Sequence, residues 1–173
     1  MPQLDDPNFR RTVVLLVHHG SDGSFGIVLN RSLDLSLDGV LRDAGITWPG
    51  EPSSVGWGGP VRPELGWVVF AGDRPANAKD DEVTSLGDGL CVTGSLDMLR
   101  AVAAKPPTKL RLFLGYAGWG PGQLEREMAE NAWLCAPIDP IILFHTPSDQ
   151  RWAAAAALLG VDLNLLSSDA GHA

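Results

Sequence analysis

Eleven consecutive residues, Gly115-Tyr116-Ala117-Gly118-Trp119-Gly120-Pro121-Gly122-Gln123-Leu124-Glu125, restrict the fold of this chain more than any other stretch. Glycine stands at four of the eight positions from Gly115 to Gly122, and glycine serves where the backbone must take φ > 0 or approach another group closely. The string leaves the apolar run Leu110–Leu114, which reads as a strand. It then sets Pro121 where a first helical residue would stand, since a missing N–H costs nothing there and φ is preset. A strand–turn–helix junction carrying two aromatics is therefore predicted, and such a junction can cradle a ligand.

Thr12–His18 reads as a buried strand, because Val13–Val17 are consecutive, mostly branched apolar residues. The slightly long loop Gly20-Ser21-Asp22-Gly23 returns it into a second strand, Phe25–Asn30, as an antiparallel hairpin. Ser36 can cap a helix with Leu37, Val40, Leu41 and Ala44 on one face and Gly45 as its stop. Gly56-Trp57-Gly58-Gly59-Pro60-Val61 is a second glycine cluster. Strands are expected at Gly66–Ala71, Val83–Leu86, Leu90–Thr93 and Lys109–Leu114, with the polar, Pro75-containing Gly72–Glu82 as a surface loop. Ser95 caps a helix carrying Leu96, Leu99 and Val102, which ends at Pro106-Pro107. After Pro121, Leu124 and Met128 share a helix face, and Ala132–Cys135 reads as a short strand. Asp139-Pro140 starts a helix through Phe144, and Thr146-Pro147-Ser148-Asp149 opens an alanine-rich helix that Gly160 ends. Strands in adjacent pairs with irregularly inserted helices do not fit a doubly wound alternation. They predict an α+β fold with a largely antiparallel, strongly curved sheet.

A chain of 173 residues fits one domain, taken here as 1–173. No apolar run reaches the length of a membrane span. Asp5, Asp6, Arg10 and Arg11 stand where a signal peptide would need an apolar segment, so a cytoplasmic location is expected. The formal charge of −8 argues against general affinity for nucleic-acid phosphates. Cys91 and Cys135 are far apart and are expected as buried small hydrophobes. The six tryptophans are expected mostly in the core.

These glycine turns carry a family resemblance. Met1-Pro2, Asp6-Pro7, Phe9, Val13-Val14-Leu15-Leu16, Gly26-Ile27-Val28-Leu29-Asn30-Arg31, Gly58-Gly59-Pro60-Val61, the Gly115–Glu125 string, Trp133 and the closing Gly171-His172-Ala173 stand in the order seen in the AlgH/YqgE family of uncharacterised bacterial proteins. The chain resembles that family over nearly its whole length. The resemblance implies a single α+β domain of coiled, bifurcated antiparallel sheets with flanking helices. Some members are labelled transcriptional regulators, and the family supplies no established catalytic residue to transfer. Two departures are visible. Relatives usually carry a further stretch with a strand before the segment matching Met1-Pro2, so an N-terminal strand is expected to be missing here. His18-His19 and Asn30-Arg31-Ser32 replace a histidine next to a carboxylate and a proline after Asn-Arg, so no role for that acid carries over.

The motifs of familiar chemistry are missing. There is no GxSxG elbow, no GK[ST] phosphate loop and no GxGxxG. Gly118, Gly120 and Gly122 lead into a helix N-terminus that could face an anion, but Pro121 removes a donor and Glu125 and Glu127 follow closely. Adjacent His18 and His19 point to opposite faces of a strand, and no HxH or HxxxH spacing occurs, so no metal is expected. No cofactor is expected either. Asn30-Arg31-Ser32 fits a glycosylation sequon that has no meaning without secretion.

The remaining candidate is a composite surface: Asn30 and Arg31 at a strand end, Gly58, Gly59 and Pro60 in one glycine turn, and Gly115, Tyr116, Gly118, Trp119 and Gly120 in the other. Gln123 and Glu125 join Arg31 as polar handles, since aromatics with arginine anchor recognition surfaces. The structural alternative is that these residues lock tight turns and that Arg31 pairs with Glu125. The expected function is a cytoplasmic, non-enzymatic module that binds a small molecule or a protein, in a regulatory role. A hydrolase or transferase using His18, Cys135 or Glu125 is the first competing reading. A regulator contacting DNA is the second, disfavoured by net charge.

Overall fold

The structure is a computed structural model describing residues 6–76 and 78–161. Its strands are β1 Val14–Gly20, β2 Gly23–Val28, β3 Ser32–Ser36, β4 Ser54–Trp57, β5 Val61–Ala71, β6 Thr84–Gly87, β7 Leu90–Thr93 and β8 Leu110–Trp119. Its helices are α1 Leu37–Asp43, α2 Leu96–Ala104, α3 Gln123–Ala129, α4 Pro140–Phe144 and α5 Arg151–Leu158, the last preceded by a 3₁₀ turn at Ser148–Gln150. The order β1-β2-β8-β5-β7-β6 is antiparallel throughout, and β4 adds a short parallel pairing to β8 and carries β3 on its far side. This is the α+β fold with a bifurcated, largely antiparallel sheet. Met1-Pro2 and Gly171-His172-Ala173 lie outside the described residues.

Strand β8 is the trunk of the fork. One edge pairs with β5 from Leu110 to Tyr116. The other edge pairs first with β4, at Phe113 and Leu114, and then with β2, from Ala117 to Trp119. The two branches separate at Gly115, which stands at φ +73° opposite a bulge in β5 between Val61 and Gly66. This irregularity resets the two-residue alternation. Phe113 and Tyr116, three positions apart, consequently share a sheet face, where Tyr116 lies 6.1 Å edge-on from Trp67 and Trp67 packs beside the Phe113 cluster. Gly58 fills the fork. Its N–H donates to Leu114 O at 2.7 Å, and its carbonyl accepts from Val28 N at 2.8 Å. A Cβ on Gly58 would sit 2.3 Å from Gly115 O, and one on Gly59 would sit 2.2 Å from the Tyr116 carbonyl carbon.

Alternation in β5, β7 and β8 feeds two cores. Val68, Phe70, Cys91, Leu110 and Leu112 pack under α1 and α2, while Val69, Leu90, Val92 and Phe113 pack with Ile27, Leu29 and α4. A smaller cluster of Ala117, Trp119 and Leu124 lies under α3, with Phe9 and Trp133 against it.

Several expectations need correction. The Gly115–Trp119 part of the string is strand, not turn, because β2 offers a hydrogen-bonding edge there. Helix α3 begins at Gln123 rather than Pro121, since Gly122 at its N-cap is left-handed at φ +70°. The first hairpin loop is tight, with Gly20 paired to Gly23. The sequence pattern does not predict strands β3 and β4, and Ala132–Cys135 forms no strand. Thr146 caps no helix; its hydroxyl donates back to Ile141 O at 3.1 Å. Leu96 and Met128 are exposed, and α2 buries Met98 in place of Leu96. Only Trp119 of the six tryptophans is fully buried. Indole carries a polar edge that prefers a reachable acceptor, as Trp48 finds in Glu51 O at 3.0 Å.

Gly58→Ala tests the fork. Backbone cannot yield to a Cβ at 2.3 Å, so this variant is expected to lose about 4 kcal/mol or more, or to fail to fold. Gly45→Ala, at φ +71° with nothing within 4 Å, is expected to lose only about 1–2 kcal/mol. Urea unfolding of the two variants measures the difference.

Candidate functional site

A group of cationic side chains gathers where β8, the β2–β3 link and the α4–α5 turn meet. A cavity of about 400 Å³ opens there, and its lining includes Arg31, Arg111, His145, Thr146, Ser148 and Arg151, with Asp149 its sole acidic group. Arg151 is 5% exposed. Its Nε donates to Thr146 O at 3.0 Å and its Nη1 to Leu29 O. Arg111 is half-buried and donates from Nη2 to Phe144 O at 2.9 Å. Neither forms an ion pair among the described residues. Each guanidinium has five N–H donors in a fixed fork, so several remain without a protein acceptor among those residues.

Burial of a cation without a counter-charge disfavours its charged form. Arg151 is accordingly lowered to about 10, first by burial and second by repulsion from Arg111, and burial lowers Arg111 as well. Arg31 completes the cation set at the edge of the cavity. Its guanidinium carbon lies 5.5 Å from the Trp57 ring centroid, and its Nη2 donates to Pro7 O at 2.8 Å.

The AlgH-like (DUF179) family model matches residues 1–164. The chain belongs to the AlgH-like family. It is 45% identical over 179 residues to a UPF0301 protein of Nitrosococcus oceani, covering 100% of this chain and 92% of that protein. A UPF0301 protein of Thioalkalivibrio sulfidiphilus is 46% identical with the same coverage. Among solved structures, AlgH from Pseudomonas aeruginosa is 43% identical with a TM-score of 0.74, covering 100% of this chain and 92% of that one. A protein from Corynebacterium diphtheriae is 26% identical with a TM-score of 0.71, covering 88% and 80%.

The family string of this AlgH-like chain is occupied largely with internal bonds. Glu127 accepts from the Trp119 indole at 3.0 Å and the Trp133 indole at 2.7 Å on one oxygen, and from Gln123 Nε2 at 2.8 Å on the other. Gln123 Oε1 in turn accepts from Gly120 N at 3.0 Å. Asn30 accepts from Val13 N at 2.9 Å and donates to Arg11 O at 2.8 Å. Tyr116 packs between Phe25 and Trp67, beside Gly118. Gly58 and Gly59 lie against Gly115 and Tyr116, with exposed Pro60 just beyond. Of the residues proposed from sequence as a binding surface, Arg31 alone lines this cavity. The alternative ion pair of Arg31 with Glu125 does not form: Glu125 lies 3.8 Å from His19 Nε2, and Arg31 holds the N-terminal turn instead.

For the enzyme readings, His18 contacts Asp22 at 3.2 Å and both are exposed. Cys135 is exposed, contrary to expectation, because its segment does not join the sheet; Cys91 is buried as expected. Burial, with a contribution from Asp73, raises the Cys91 thiol and keeps it protonated. One arrangement escaped sequence reasoning: His19 Nδ1 lies 2.7 Å from Ser24 Oγ, and Glu125 stands beyond the other ring nitrogen. Ser24 is buried in its strand, and none of these three residues lines the cavity. Among the described residues no cluster of His, Cys, Asp and Glu could hold a metal. Arg111 and Arg151 also went unseen. The signals were present: an arginine inside the apolar run Leu110–Leu114, and an arginine at the first position of a helix, the end where the macrodipole disfavours a cation.

The folded value of Arg151 lies below its ordinary, unfolded value, so its charge opposes folding at neutral pH, and the penalty fades as pH rises through about 10. Wild-type protein is therefore expected to gain about 1 kcal/mol relative to Arg151→Gln between pH 9 and pH 11, measured by urea unfolding. Glu127→Gln, which leaves one oxygen for three donors, is expected to cost about 1–3 kcal/mol and to change tryptophan fluorescence.

Proposed function

We propose that this chain is a non-enzymatic, cytoplasmic binding module with a regulatory role, and that a small molecule occupies the cavity among Arg31, Arg111 and Arg151. One observation carries this reading: a buried arginine and a half-buried one, without a carboxylate partner among the described residues, line the same polar cavity. Fold stability alone gives no reason to keep such charges, because apolar residues of similar volume serve as well or better. Small-molecule sites have this form, a preformed hollow with a few convergent polar groups. Leu29, Leu112 and Phe113 supply its apolar wall.

No helix among the described residues is long and apolar enough to cross a membrane. A net charge of −8 leaves direct DNA contact the weaker regulatory route. The hydrolase reading retains one specific support, the Ser24–His19 contact of 2.7 Å, since a hydroxyl beside an imidazole is the minimal activated nucleophile.

Screening the purified chain by thermal shift against a metabolite library of neutral, cationic and anionic compounds separates these readings. The binding reading expects stabilisation by at least one compound, about 2.7 kcal/mol at a hundredfold excess over its Kd, with NMR shifts centred on Arg111 and His145. Ester turnover abolished by Ser24→Ala, with shifts centred on the β1–β2 hairpin, would replace it with the hydrolase.

A further inference from the structure

We propose that the ligand of this cavity is a phosphate monoester carried on a small hydroxylated body, its phosphate seated between the guanidinium groups of Arg111 and Arg151. The inference rests on the cavity being the ligand site. Charge sets the first constraint. Every titratable group lining the hollow is named by Arg31, Arg111, His145, Asp149 and Arg151, which is three fixed cations, one histidine and one carboxylate. The excess is positive within a chain of net charge −8, and a concave, partly apolar wall concentrates that field.

Geometry sets the second constraint. Arg111 and Arg151 come from different elements, β8 and α5, and each is held by backbone carbonyls that occupy only part of its fork. Their remaining N–H groups offer two separate donor sets, which suits the several oxygens of a dianionic phosphate. A monocarboxylate would offset one cation and leave the other without a counter-charge. Charge-assisted hydrogen bonds from guanidinium to phosphate are among the stronger polar contacts. Hydroxyls of Ser32, Ser54, Thr146 and Ser148 line the same space and add both donors and acceptors.

Size and polarity set the third. The cavity measures about 400 Å³, many times the ~30 Å³ share of one water, so a bare phosphate leaves most of it empty. Leu29, Leu112 and Phe113 can pack against a carbon skeleton, and Asp149, exposed at the edge, can accept from its hydroxyl groups. Free phosphate and a phosphate monoester share the charged head, and affinity distinguishes them.

Isothermal titration calorimetry with the full chain at constant ionic strength tests this. The probes are glucose 6-phosphate, inorganic phosphate, sodium sulfate, glucose and sodium chloride. The expected order is glucose 6-phosphate tightest, phosphate weaker, sulfate weaker still, and no heat from glucose or chloride. Arg111→Gln is expected to weaken glucose 6-phosphate by tenfold or more. Arg111→Lys, which keeps the charge but loses the fork, is expected to recover only part of that loss. Should Arg111→Gln unfold, Arg31→Ala and His145→Ala, both near the solvent side, are each expected to weaken binding severalfold. Equal affinity for phosphate and its monoester would assign the site to the free ion and overturn the monoester. A neutral or cationic library compound that binds here while no phosphate compound does would overturn this inference and leave the binding reading standing. Silence from every phosphate probe and from the whole library would overturn both.

Discussion

The backbone contact of Gly58 and Gly59 with Gly115 and Tyr116 is the constraint on which this structure depends. A long strand can carry two partners on one edge only if something occupies the gap where they part. Gly58 does so with main-chain atoms, bonding to Leu114 on the trunk and Val28 on one branch. The gap is too narrow for any side chain, which makes glycine a steric requirement there rather than a matter of flexibility. From this point follow the bulge opposite Gly115, the shared face of Phe113 and Tyr116, and the separation of β2 from β4. The link from β2 to β3 crosses the same region, and Arg31 sits on it.

The cavity is a second product of the same fork. Arg111 lies on the trunk before the branch point, where β8 has only β5 and the short β4 beside it. The α4–α5 turn closes over that part of the sheet and brings in Arg151, 40 residues later in the chain. Two like charges are thereby brought together, Arg151 buried and Arg111 half-buried. Backbone carbonyls of Leu29, Phe144 and Thr146 offset part of the cost with dipoles, not with opposite charge. An anion entering the cavity would restore the missing counter-charge, and its binding free energy would add to the stability of the fold.

The most distinctive sequence feature proves largely architectural. Trp119, Trp133 and Gln123 converge on the carboxylate of Glu127, a residue that periodicity marked only as a polar position on α3. A carboxylate receiving two indole N–H groups fixes α3 against the end of β8 and orients the smaller core. Aromatics and polar residues in a glycine-rich string resemble a recognition surface in one dimension. In three, most of their hydrogen-bonding capacity is spent within the string and its helix.

Local patterns were sufficient for elements whose pattern depends on near neighbours. The Ser36 and Ser95 caps, the Asp139-Pro140 helix start and the apolar β5, β7 and β8 runs follow from propensity, capping and period, so the α+β class was readable from the chain. Strands β3 and β4 were not, because Ser32–Ser36 and Ser54–Trp57 have weak alternation and become strands only through each other and β8. Glycine turns explain neither Arg31 nor Gln123 among the candidate residues, and the alternative pairing of Arg31 with Glu125 does not form. The pairing of Arg111 with Arg151 had no local signature beyond two charges in unfavourable company. Sequence patterns record interactions within a turn or two of helix or along one strand, whereas a cavity is made by residues far apart in the chain. Its existence follows from long-range packing around the fork, and that packing alone decided which charges would be left facing one another.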